Sequence, residues 1–169
     1  MATTAIFFTI LAVMAIATAL VTISSKNPVV SAIALVAHFF MLAGIYLTLQ
    51  AQFVAVIQIL VYAGAIMVLV VFVIMLLNLG DEEQMRDKLN FKRFIAVLFG
   101  AVFIFQLWSV FLAGGGGVSK MPEQALKTGS AQSIGMALFS DYLYPFEAIG
   151  LLLLAAIVGA IILAKRKLE

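Results

Sequence analysis

Cysteine is missing from this sequence altogether, histidine occurs once, and proline three times in 169 residues. Without a thiol the chain can form no disulfide, no thiolate zinc site and no four-cysteine iron–sulfur site. Charge is scarce as well: Asp, Glu, Lys and Arg make up 11% of the residues, against 65% hydrophobic. Water-soluble domains carry about a quarter charged residues, so this composition leaves too little polar surface for water and places the chain in lipid. A net charge of +2 with no basic patch speaks against nucleic acid as a partner.

What is abundant is apolar sequence, in five runs each long enough to cross a hydrocarbon core of roughly 30 Å as a helix of about 20 residues. They predict an all-α integral membrane protein of five transmembrane helices, at about 5–23, 29–49, 53–77, 94–113 and 143–164, forming a single membrane domain over residues 1–169. The first run ends among small residues and so also suits a cleavable signal peptide, but no Lys or Arg precedes it and Lys26 follows it, which favours a retained helix. Asn27 and Pro28 suit an N-cap and a first helical position. Gln50, Ala51 and Gln52 leave only a short turn, which makes the second and third helices antiparallel neighbours.

Gly80 is a candidate C-cap ahead of the mixed-charge stretch Asp81–Lys88, which belongs in water. Gly114–Gly117 open a long outer loop, 114–142, in which Ile134–Phe139 suits a short interfacial helix. No internal repeat is evident, and an odd helix count does not divide into the two equal halves of a secondary transporter. With five crossings, Lys26, Arg86, Lys88, Lys92, Arg93, Lys165, Arg166 and Lys167 fall on one side and only Lys120 and Lys127 on the other. The positive-inside rule then predicts a cytoplasmic C-terminus and an N-terminus outside.

Few residues within the spans carry chemistry. A regular helical projection of the third span aligns Ala55, Gln58, Tyr62, Ala65 and Leu69 on one small or polar stripe, a face suited to protein rather than lipid. Gln58 and Tyr62 then either bond neighbouring helices or belong to a moving part. This span is longer than the bilayer needs, and Ala63, Gly64 and Ala65 supply little side-chain packing to hold a regular turn, so a π-bulge fits there. His38, mid-span, is either a proton carrier or a neutral imidazole bonded to a neighbouring hydroxyl or carbonyl. Glu147, the one carboxylate inside a predicted span, has a capping and a proton-relay reading open to it, while Asp141 reads as a loop residue or cap. No catalytic residue and no metal site emerges.

The run Ile57–Leu79, IQILVYAGAIMVLVVFVIMLLNL, resembles the third helix of subunit J of the proton-pumping NADH-quinone oxidoreductase, respiratory complex I, the counterpart of mitochondrial NADH dehydrogenase subunit 6. Asn27–Pro28, Gly44, Tyr46, Leu138, Phe139, Tyr142, Glu147 and the basic C-terminus are similar to the family pattern as well. The resemblance implies a non-catalytic membrane-arm subunit, with FMN, iron–sulfur clusters and quinone held by other subunits. Its expected partners are subunits A, H and K and the antiporter-like subunits, in a cell inner (plasma) membrane rather than an organelle's.

It further implies that the region of Tyr62, Gly64 and Met67 switches between a π-bulged and a regular helix, turning Val68 and Phe72 into or out of a water path. Some members carry a carboxylate where Gln58 stands, a departure that gating by water access survives. Two alternatives accompany this reading: an architectural subunit without a coupling role, and the related subunit of a multisubunit cation/proton antiporter or membrane-bound hydrogenase.

Overall fold

The computed structural model describes residues 2–77, 91–113 and 129–165, and within them all regular structure is helical, with no strand. The helices are α1 (Ala2–Ser24), α2 (Pro28–Thr48), α3 (Gln52–Leu76), α4 (Phe91–Ala113), α5 (Ala131–Phe139) and α6 (Leu143–Ala164). Four of them, α1, α2, α3 and α6, are long and apolar enough to cross a membrane. Helix α4 runs for 23 residues around an apolar centre at Val97–Val110. Gly80, the stretch 81–88, Gly114–Gly117, Lys120 and Lys127 lie outside the described residues.

Local chemistry sets the start of α2. The Asn27 side-chain oxygen accepts from the N–H groups of Val29 at 2.9 Å and Val30 at 3.4 Å, and Pro28 occupies the first helical position, where no intrahelical donor is needed. Its end is a left-handed reversal at Gln50 (φ 62°). The Ala51 N–H bonds the Tyr46 carbonyl at 2.9 Å and the Gln50 N–H bonds that of Leu47 at 3.1 Å, a Schellman motif built on glutamine instead of the usual glycine. The chain then re-enters a helix at Gln52.

Helices α1 and α2 pack through small and hydroxyl residues. Ala15, Ala32 and Ala43 are buried, and the Ser31 hydroxyl donates to the Thr22 carbonyl. A Cβ placed on Gly44 would lie 3.0 Å from a terminal carbon of Leu11, so the absent side chain is what admits the leucine. Close approach of this kind is how helices associate in lipid, where apolar surface alone gives no preference for protein over acyl chains. Helix α3 packs along α2, while α5 touches the first turns of α3 and leads into α6. There Phe139 meets Phe146 edge to face, with ring centroids 4.9 Å apart.

Among the described residues the chain buries little against itself. Its accessible surface is 14574 Å², whereas a compact soluble protein of 18.2 kDa exposes about 8,000 Å². Large apolar side chains such as Phe7, Phe103, Phe105, Leu151 and Leu163 stand exposed, a surface stable only in lipid or against other subunits.

A π-helical segment as the candidate functional site

The third helix is not regular: Gln58–Ile66 is π-helical, nine residues set between α-helical turns at Gln52–Ile57 and Met67–Leu76. At its exit the Met67 N–H reaches back to the carbonyls of Tyr62 and Gly64, passing over Ala63. In an α-helix the Met67 N–H would bond Ala63, four residues back, so the segment holds the one-residue insertion of a π turn. The sequence here, with Ala63, Gly64 and Ala65 in succession, has few side-chain contacts to lose by widening. Gly64 also fits the wide turn sterically, since a Cβ there would sit 3.2 Å from the Ile59 carbonyl oxygen, five residues back.

The insertion re-aims every side chain beyond it. The buried residues of this helix are Ala55 (1% exposed), Gln58 (7%), Ala63 (7%) and Met67 (2%), a spacing of three, five and four. The stripe expected from a regular helix, Ala55, Gln58, Tyr62, Ala65 and Leu69, is kept only as far as Gln58. Tyr62 is instead 45% exposed, and Ala65 and Leu69 face outward. The reason is geometric: one extra residue within the turn shifts the inward face by one position, from Tyr62 to Ala63.

Gln58 is the buried polar side chain of the described residues. Tyr62 lies beside α2, its ring edge-on to Phe39 with centroids 5.7 Å apart. Val68 and Phe72 are exposed on the outer side of the same helix. The structure therefore gathers Gln58, Tyr62, Gly64, Met67, Val68 and Phe72 on one irregular helix, with Gln58 and Met67 inward and Val68 and Phe72 outward.

The other two candidates stand apart from this segment in role. His38 Nδ1 lies 2.9 Å from the Ala15 carbonyl of α1 and 3.5 Å from the Thr18 hydroxyl. A carbonyl only accepts, so Nδ1 carries the proton in this arrangement. The histidine thereby fastens α2 to α1, with Phe39, its neighbour, bridging to Tyr62. Glu147 is the fifth residue of α6 and exposed. It lies beyond the first turn, where the helix dipole is felt most, and the helix is preceded by Tyr142, whose side chain makes no capping bond; Asp141 stands in the turn before it. The roles of Phe39, Ala15 and Thr18 were not legible in the sequence, because an aromatic, an alanine and a threonine in an apolar run carry no signal of their own.

The sequence pattern of NADH-ubiquinone/plastoquinone oxidoreductase chain 6 matches residues 18–163. The chain belongs to this family. It is 41% identical over 168 residues to NAD(P)H-quinone oxidoreductase chain 6 of Synechocystis sp., covering 96% of this chain and 81% of that one. It is 38% identical over 143 residues to NADH-quinone oxidoreductase subunit 10 of Thermus thermophilus, covering 85% and 79%. F(420)H(2) dehydrogenase subunit J of Methanosarcina mazei is 36% identical over 161 residues, covering 94% and 89%.

The chain has no cysteine, and among the described residues no three His, Asp or Glu side chains gather where a metal would bind. What the segment presents is a helix whose inward face beyond Gln58 is shifted by one residue from that of a regular helix.

Proposed function

We propose that the chain is a membrane subunit of an NADH:quinone oxidoreductase, and that Gln58–Ile66 couples quinone chemistry elsewhere in the complex to proton movement by changing between π and α forms. The observation that carries this reading is the nine-residue π segment set on the helix that bears the family resemblance. Converting it to a regular helix removes one inserted residue and turns one flank against the other by about 100°. Tyr62 and Ile66 then take the places against α2 that Ala63 and Met67 hold, and Val68 and Phe72 swing with them. Such a turn opens or closes a path for water without any residue of the helix being protonated.

Flavin, iron–sulfur clusters and quinone belong to other subunits in this reading. Related chains named for NADH, NAD(P)H and F(420)H(2) enzymes support a role common to complexes with different electron donors. Neighbouring subunits A, H and K and the antiporter-like subunits cover the exposed faces.

Five crossings, with the N-terminus outside and the C-terminus in the cytoplasm of a bacterial cell, remain the favoured topology. One contact supports the count of crossings. Gly129 lies against Gln50 and Ala51, so the described part of the 114–142 connection begins on the same side as the α2–α3 turn. Since α3 carries the chain away from that side, α4 is the helix that returns it.

The test is purification through a C-terminal tag in mild detergent, followed by mass spectrometry and an inhibitor-sensitive NADH-to-quinone assay. Co-purification of NADH-oxidising and quinone-channel subunits with activity is expected; antiporter or hydrogenase subunits in their place would overturn the stated reaction.

A further inference from the structure

Gly129 and the α2–α3 turn touch backbone to backbone. A Cβ on Gly129 would fall 2.6 Å from the Gln50 carbonyl oxygen, 3.3 Å from its carbon and 3.2 Å from the Ala51 Cα. No side chain fits at such a distance from main chain, so the approach requires glycine. The turn it meets is itself over-determined, with Gln50 held left-handed by the two bonds to Tyr46 and Leu47. Immediately after Gly129, Ser130 caps α5 by accepting from the Ser133 N–H at 3.2 Å. Helix α5 in turn packs on the first turns of α3 and on α6, and Phe139 closes on Phe146. The start of α3 is thus held from two directions, by the Schellman turn behind it and by the Gly129–α5 segment beside it, whereas its far half, Met67–Leu76, packs along α2.

We infer that Gly129 is a positioning residue: with α5 it pins the N-terminal turns of α3, so that a π-to-α change at Gln58–Ile66 is expressed as rotation of Met67–Leu76 alone. This rests on the switching role proposed above. Without a fixed end, the same change of register is shared between both flanks, and the water path beyond Met67 moves by only part of the turn.

The chain's lack of cysteine permits single-cysteine probes. Val56→Cys lies before the segment and Leu69→Cys beyond it, both at exposed positions. Each is labelled with N-ethylmaleimide in the assembled complex, at rest and during NADH-driven turnover, and the adduct on this chain is quantified by mass spectrometry. The expected result is a several-fold change in the Leu69→Cys rate on turnover and none at Val56→Cys. Adding Gly129→Ala makes Val56→Cys turnover-sensitive, shrinks the change at Leu69→Cys and lowers the protons moved per electron. Gly135→Ala within α5, whose Cβ meets nothing within 4 Å, does none of these.

A Leu69→Cys rate that ignores turnover would sink the switch and the clamp with it. A responsive Leu69→Cys, with Gly129→Ala indistinguishable from Gly135→Ala, would sink the clamp alone. If Gly129→Ala blocks assembly, the parent comparison still decides, because turnover sensitivity at Val56→Cys overturns the fixed end.

Discussion

His38 on α2 and Ala15 on α1 are joined by a hydrogen bond of 2.9 Å from the imidazole Nδ1 to the main-chain carbonyl. The histidine thus acts as a fastener between helices at the point where Phe39 begins the contact with Tyr62. Interhelical hydrogen bonds in membranes contribute about 0.6 kcal/mol on average.

His38→Phe removes the donor while filling the space. It is expected to weaken the α1–α2 pair by about 0.5–1.5 kcal/mol, seen as a lower temperature for loss of this subunit from the complex. NADH-to-quinone activity of complexes that have assembled is expected to stay close to the parent's.

Gly44 and Leu11 give a steric test of the same interface. The Cβ of Gly44→Ala meets only the flexible end of Leu11, at 3.0 Å, so its cost is small. Gly44→Ile, which demands far more room, is expected to cost about 1–3 kcal/mol. Leu11→Ala should recover part of that loss, and a double-mutant cycle on helix-pair stability would read the coupling.

At Gly64 two effects act in one direction. Alanine favours a regular helix over glycine by about 1 kcal/mol, and its Cβ crowds the Ile59 carbonyl at 3.2 Å in the π form. Gly64→Ala, and more strongly Gly64→Val through crowding, should bias the segment toward the α form and lower the proton-to-electron ratio in proteoliposomes while assembly persists. Loss of assembly with normal pumping in the assembled remainder would favour the purely architectural role.

Much of this molecule is legible in the sequence where the determinant is local. The Asn27–Pro28 start of α2 follows from one side-chain oxygen and one missing N–H. The Gln50 turn is announced by its shortness between two apolar runs. The inward face of α3 is legible only as far as Gln58, because a π insertion changes the period that a projection must assume, and its placement depends on packing against α2. The Gly129 contact joins segments far apart in the chain, and nothing beside a glycine in a polar connection states what its backbone will approach.

Gln50 is itself a test of how far that turn is strained. Left-handed backbone costs a non-glycine residue about 1–2 kcal/mol, part of which glycine returns as extra freedom of the unfolded chain. Gln50→Gly is expected to stabilise the α2–α3 hairpin by about 0.5–1 kcal/mol, measured as resistance of the subunit to thermal release. A destabilised hairpin would mean that the glutamine side chain holds a neighbour.

The small self-burial of the chain reaches beyond its fold, to its fate in the cell. A copy inserted without its neighbours presents long apolar helices joined, among the described residues, by small-residue contacts, a few hydrogen bonds and aromatic pairs. Its persistence is then governed by how quickly partners arrive: synthesis in balanced amounts, close in time and place, becomes a requirement of the architecture, and surplus copies are natural targets for membrane proteolysis.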